Sequence, residues 1–287
     1  MYIYGRIMSQ NTNPLTQYFR QPAIYVRLPS QGRFWPPDSI DMPANGELPV
    51  FPMTAVDEIT SRTPDALFNG SAVVRIIQSC VPNIKNAWSM PNVDIDTLLV
   101  STRIATYGHE MEITSKCSEC DADQDYALDL RTVLENISTP DYSKPLNSGD
   151  LQIYFKPISY QELNENSQIQ FQDQKLIQVL QDTEMDETAK LNEIGKAMVK
   201  ITELTVNSIA QSIAAIRTPA AQVHEAEHIK EFLMNCDKSV FNAIRDHAIG
   251  IKQSSEIKPL RMKCSSCSAD YTQPFTLDMS NFFAVGS

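Results

Sequence analysis

The sequence predicts an α+β fold, mostly α, in which the two halves of one small ribbon flank an inserted helical unit. Three observations predict it. Cys117/Cys120 and Cys264/Cys267 form two CxxC pairs inside similar stretches, Lys-Cys-Ser-Glu-Cys-Asp-Ala-Asp (116–123) and Lys-Cys-Ser-Ser-Cys-Ser-Ala-Asp (263–270). Each stretch runs on through an aromatic residue to Leu-Asp, at 128–129 and again at 277–278, so the chain holds a short internal repeat. Between the copies, apolar residues recur at helical spacing, and before the first copy the prolines crowd: most of the 17 fall ahead of residue 92. The expected organisation is a Pro-rich N-terminal region with a short strand and helices (1–108), ribbon halves at 109–137 and 256–287, and an inserted, mainly helical unit at 138–255.

The elements follow in chain order. Ala23 to Leu28 reads as a short strand. Leu28-Pro29-Ser30-Gln31-Gly32 and Trp35-Pro36-Pro37-Asp38 are extended or turning, because proline fixes φ and removes a donor. Thr54 with Asp57 has the spacing of a helix N-cap, and Thr63-Pro64 opens a turn that Asn69-Gly70 closes. Val73, Ile76, Ile77 and Cys80 fall at i, i+3, i+4 and i+7, which predicts a helix with its thiol on the buried face. A longer helix is expected to start near Asn92 to Asp94, bury Ile95, Leu98, Leu99 and Thr102, and stop at Gly108.

Asp129 to Ile137 reads as helical, Ser138 to Asp150 as a polar loop, and Leu151 to Lys156 as a strand ended by Pro157. Ser159 to Gln181 is expected to form a Gln-rich helix, followed by an acidic break at Asp182 to Glu187. Leu191, Ile194, Met198, Ile201, Leu204, Ile209, Ile213 and Ile216 then keep approximate helical spacing, with an alternative extended reading for Leu204-Thr205-Val206. Thr218-Pro219 is expected to open a helix to Cys236, in which Ile229, Phe232, Leu233 and Cys236 repeat the buried-thiol pattern. Val240, Phe241, Ile244, Ala248 and Ile251 mark the last helix.

The two cysteine pairs carry the chemistry. One CxxC turn points two thiolates at a point and supplies half of a tetrahedral shell; two turns together supply Cys₄, the closed set of a structural zinc. Cys117, Cys120, Cys264 and Cys267 are therefore expected to bind one structural Zn²⁺ as the knuckles of a split zinc ribbon. Continuous ribbons keep about 15–20 residues between pairs, whereas residues 121–263 intervene here. An inserted helical unit resolves that difference. The alternatives at this stage are disulfides, which need an oxidising compartment, or two turns without metal.

Composition narrows the function. A formal net charge of −11 disfavours nucleic acid as a partner, since phosphate binding wants a basic face. No apolar run approaches the roughly 18 residues of a membrane span, and the first residues lack a signal-peptide core, so no membrane partner and a reducing cytoplasm are expected. Neither GxGxxG nor GxxxxGK[ST] occurs, which removes support for nucleotide cradling.

Residues 224–228 read His-Glu-Ala-Glu-His and formally satisfy HExxH, the string of a zinc metalloprotease. Its histidines lie among Glu225, Glu227, Lys230 and Glu231, away from the apolar stripe, and Glu231 and Met234 stand where a metzincin continuation needs Gly and His. An exposed histidine pair is the expectation. Asp94/Asp96 and Asp123/Asp125 are read as helix-start and turn carboxylates rather than catalytic pairs. Phe34-Trp35-Pro36-Pro37 and Trp88 are either plugs over the core or a docking surface. The adjacent Phe282 and Phe283 are likewise either a plug or a partner-binding peptide.

Taken together, the segments resemble a family of tail baseplate proteins from T4-type contractile-tailed bacteriophages, of the baseplate-hub or hub-assembly sort. The residues carrying the likeness are Asn13-Pro14-Leu15 through Tyr18-Phe19-Arg20, Arg27-Leu28-Pro29-Ser30, Pro52-Met53-Thr54-Ala55 with Asp57-Glu58, and Asp65-Ala66-Leu67 with Asn69-Gly70. Arg103 to Gly108, Lys116-Cys117 with Cys120, and Cys264 and Cys267 leading to Ser280-Asn281-Phe282-Phe283 complete it. The resemblance implies a non-enzymatic virion component or hub-assembly factor that contacts other phage baseplate or hub proteins, with self-association as a further contact. It implies a place in the host cytoplasm during assembly and in the tail baseplate if structural. The other readings are a zinc-ribbon adaptor in some other complex, or an HExxH-type metalloprotease.

Overall fold

The computed structural model describes residues 13–62, 70–169, 171, 187–275 and 277. The turn expected at residues 63–69, the later part of the Gln-rich helix with most of the acidic break, and Phe282 and Phe283 lie outside the described residues. The architecture is a set of helices with several small antiparallel sheets.

In the N-terminal region, β1 (Ile24–Val26) pairs with β2 (Leu48–Val50). Helix α1 (Ala55–Ser61) starts at a reciprocal capping box: Thr54 Oγ1 accepts from the Asp57 N–H, and Asp57 Oδ2 accepts from the Thr54 N–H. Helix α2 (Ser71–Cys80) follows Gly70, whose φ of 75° is a left-handed conformation. A Cβ there would also sit 2.8 Å from Asn164 Oδ1, so glycine answers both backbone strain and space. Helix α3 (Asn92–Tyr107) is buried on most of its circumference and ends at Gly108, φ 88°.

These elements share one core, in which Leu48, Ile76, Ile77, Ile84, Met90 and Leu98 are fully buried. Each such side chain contributes about 1.5–3 kcal/mol of burial. Leu130 and Val133 of α4 (Leu130–Asn136) join the same core, as do Ile257, Phe275 and Leu277 from the far end of the chain.

A second core lies in the stretch between the cysteine pairs. There β5 (Leu146–Ser148), β6 (Leu151–Phe155), β7 (Ile213–Arg217) and β8 (Gln222–Val223) form one antiparallel sheet in that order. Ile153, Phe155, Ile213 and Ile216 of the sheet pack against Val206 and Ile209 of α6 (Glu187–Ser212), Ile229 and Leu233 of α7 (Ala226–Asn235), and Ile244 of α8 (Lys238–Ser255). Helix α5 (160–169) precedes them, capped by Ser159 and Glu162 in the same reciprocal way as α1.

Several local expectations change. Ile213 and Ile216 do not extend the helix; they stand in β7, where Ile213 pairs with β6, Ile216 pairs with β6 and β8, and β-branched side chains fit the pleat. Leu204 to Val206 is helical, not extended. Thr218-Pro219 opens no helix: the Thr218 Oγ1 accepts from the N–H groups of Ala220 and Ala221, closing the β7–β8 turn, and α7 begins only at Ala226. The loop at 138–150 contains β5.

Two carboxylates at the start of α3 have distinct surroundings. Asp94 is fully buried and accepts from the Ser30 N–H (2.8 Å), the Ser30 hydroxyl (2.5 Å) and the Trp35 indole N–H (2.8 Å). It thus ties the proline-rich loop to the helix, and Trp35 is a plug over the core. Phe34 meets Tyr142 edge-on and Trp88 stacks on Tyr160.

Asp96 faces a cleft of about 390 Å³ shared with Glu256, Ile257, Pro259, Pro274, Phe275 and Leu277. Burial first, and the Glu256 charge second, push its carboxyl up to about 6. A folded-state value above the unfolded one (about 3.9) means that the folded chain holds this proton more tightly. Its contribution is complete below pH 4 and is lost as pH rises through 6. Asp96→Asn is therefore expected to stabilise the protein by about 1–2 kcal/mol at pH 7 and leave it unchanged near pH 4. Paired thermal melts at the two pH values check this; equal gains at both would refute it.

Candidate metal centre

Two β-hairpins build the site. β3 (Glu110–Lys116) pairs with β4 (Asp123–Asp129), and β9 (Leu260–Lys263) pairs with β10 (Asp270–Gln273). The hairpins share a register at their tips, Lys116 opposite Asp123 and Lys263 opposite Asp270, so the sequence repeat is a structural repeat. In each turn the first Cys N–H donates to the Ala carbonyl five residues on (Cys117 to Ala122, 3.0 Å; Cys264 to Ala269, 2.9 Å). The residue after the second Cys, Asp121 or Ser268, takes positive φ, 57° and 62°. That bend turns both sulphurs of a pair to one side.

The four cysteines, spread over the two copies, converge. Cys117 Sγ lies 3.8 Å from Cys267 Sγ, and Cys120 Sγ lies 3.6 Å from Cys264 Sγ. All four sulphurs fall within 4.8 Å of one another, and all are free thiols. A tetrahedron of metal–sulphur bonds of about 2.3 Å has edges of about 3.8 Å, so these residues fit a Cys₄ metal. Among the described residues this is the one cluster of three or more potential ligands.

The surroundings favour thiolate at Cys264 and push the Cys267 and Cys120 thiols up. The Cys264 sulphur accepts from the Cys267 backbone N–H (3.4 Å) and from Gln124 Nε2 (3.2 Å). The Cys267 N–H is the leading cause that holds the Cys264 thiol down to about 6. Cys117 and Cys264 are buried while Cys120 and Cys267 are exposed, so the site has one sealed side and one open side. Its own apolar core is small: Cys117, Met262, Cys264 and Tyr271 are its buried members. Modules with so little core depend on a staple.

Polar bonds between the hairpins complete the junction. Tyr271 donates its hydroxyl to Ser115 Oγ, Ser115 donates to Gln273 Oε1, and the Tyr126 hydroxyl reaches the Lys263 carbonyl. Sequence reasoning missed Gln124, Tyr126, Tyr271 and Ser115 as site residues. A usable signal existed, because Gln124 and Tyr271 occupy the same place in the two repeats, directly after Ala-Asp.

The other motifs disperse. His224 and Glu225 precede α7 while His228 is inside it, so the two imidazoles do not share a helix face. His224 Nδ1 sits 3.2 Å from the Ala214 carbonyl, and His228 lies exposed, 3.9 Å from Glu225. Cys80 is fully buried, its thiol pushed up to about 12 by burial and then by Asp57, which suits packing rather than reaction.

A family model described as "T4 bacteriophage base plate protein" matches residues 46–284, most of the chain and both cysteine pairs. The chain belongs to that family. No curated protein and no solved structure matches this base plate protein. Membership identifies its neighbours as other proteins of the phage tail, and among the described residues no helix is long and apolar enough to cross a membrane.

Proposed function

We propose that this base plate protein is a non-enzymatic structural or hub-assembly component, and that Cys117, Cys120, Cys264 and Cys267 hold one structural Zn²⁺. The single observation that carries the reading is the meeting of two knuckles from opposite ends of residues 121–263, with sulphur contacts of 3.6 and 3.8 Å. Bound there, zinc supplies cross-linking strength and no reaction chemistry, because a closed Cys₄ set leaves no position for substrate.

In this reading residues 1–108 form one unit, 109–137 with 256–287 the split ribbon, and 138–255 the insert. The three apolar cores follow that division in part: Leu130, Val133, Ile257, Phe275 and Leu277 of the ribbon segments, and Tyr160 and Leu163 of the insert, belong to or pack against the first of them. Function then consists of fixing the angle between surfaces that other base plate or hub proteins recognise, with Phe282 and Phe283 as one contact. Mass spectrometry of purified virions tests the role. The chain at base plate stoichiometry makes it a structural component; its absence from particles, with failed hub formation in its absence, makes it an assembly factor. A chain dispensable for tail formation refutes both.

A further inference from the structure

The side-chain amide of Gln124 stands between the two hairpins and touches four groups of the second one or its own strand. The Ser265 backbone N–H can only donate, so its 2.7 Å contact fixes Oε1 on that side. Nε2 consequently faces Cys264 Sγ at 3.2 Å and Ser266 Oγ at 3.0 Å. The Tyr126 hydroxyl stands between two acceptors, Gln124 Oε1 at 3.1 Å and the Lys263 carbonyl at 2.9 Å, and its one proton serves one of them at a time. Gln124 is itself buried, so these bonds form away from competing water.

We propose that Gln124 is the positioning residue of the sulphur site: its carbonyl oxygen docks the second knuckle on the first, and its N–H aims the Cys264 sulphur at the shared centre. The proposal rests on the metal reading above for its second half only. Docking needs no metal, since the amide reaches a backbone N–H of the other hairpin and adds to the Ser115, Tyr126 and Tyr271 bonds that join the tips. Aiming concerns the ligand. A thiolate that accepts an N–H from an adjacent buried amide is oriented before metal arrives, and such outer partners are worth about 10- to 100-fold in metal affinity.

Two variants of the full chain separate the roles. Gln124→Glu keeps the shape and the acceptor for Ser265 but removes the N–H donor; Gln124→Leu removes both. In competition with a chromogenic chelator, Gln124→Glu is expected to bind Zn²⁺ about 10- to 100-fold more weakly than wild type. Its metal-free melting temperature records separately the cost of the buried carboxylate, and the Co²⁺-substituted protein should show altered sulphur-to-metal charge-transfer bands. Zinc affinity within twofold of wild type overturns the aiming role.

Amide hydrogen exchange at Ser265 in the metal-free chain reads the docking role. Protection in wild type and Gln124→Glu, lost in Gln124→Leu, supports it; an unprotected Ser265 in wild type overturns it. If wild type binds no Zn²⁺ at all, the metal reading and the aiming role fall together, while the exchange measurement still decides docking.

Discussion

Cys264→Ser is expected to take bound zinc from one ion per chain to none and to lower the unfolding free energy by about 4 kcal/mol or more. The figure follows from linkage: a ligand held at a thousand times its dissociation constant stabilises the folded form by about 4.1 kcal/mol. Isolated finger peptides draw about 10–16 kcal/mol from such a site, but here two larger cores carry part of the fold without it. Cys264 is the informative position because it is buried and already accepts two N–H groups. Elemental analysis of reductively purified protein together with chemical denaturation checks the result. The double change His224→Ala with His228→Ala serves as the control and should leave one ion bound; retention of zinc by Cys264→Ser would refute the assignment.

Asp94→Ala is expected to cost about 2–4 kcal/mol. Truncation strands the Ser30 N–H, the Ser30 hydroxyl and the Trp35 indole N–H in a buried site, and each unsatisfied buried donor costs about 1–3 kcal/mol before relaxation. The loss should appear as a lower midpoint in urea with metal binding intact, because the carboxylate lies in the first core and the sulphurs in the third. A loss below about 0.5 kcal/mol would show that the loop 28–35 is held by packing alone.

Local signals in the sequence proved readable where one element is governed by nearby residues. The Thr54/Asp57 capping box, the stop at Gly108 and the buried stripe of α2 all depend on contacts within a turn or two. The repeat at 116–123 and 263–270 was legible for the same reason, and it brought all four cysteines into view as one candidate centre. Long-range pairing was not legible. Ile213 and Ile216 keep helical spacing with Leu204 and Ile209, and nothing local says that β6 will claim both and β8 the second. Gln124 reads as an ordinary polar residue in an acidic stretch, since its partners lie more than a hundred residues away. Asp94 is the helix-start carboxylate its position predicts, but its bonds to Ser30 and Trp35 arise only through the folded loop.

The chain leaves the junction at Asp121 and re-enters it at Lys263, which has a mechanical meaning. With zinc bound as proposed, the stretch between is a closed loop, and a pull applied to the two flanking segments is expected to cross the sulphur junction before it loads the insert. A particle that transmits force through this protein could strain its outer parts while the four-stranded sheet and its helices stay slack. Stretching single molecules by their ends should therefore release the insert's length only after the junction opens, and in one late step; early, gradual release would mean that the load runs through the insert after all.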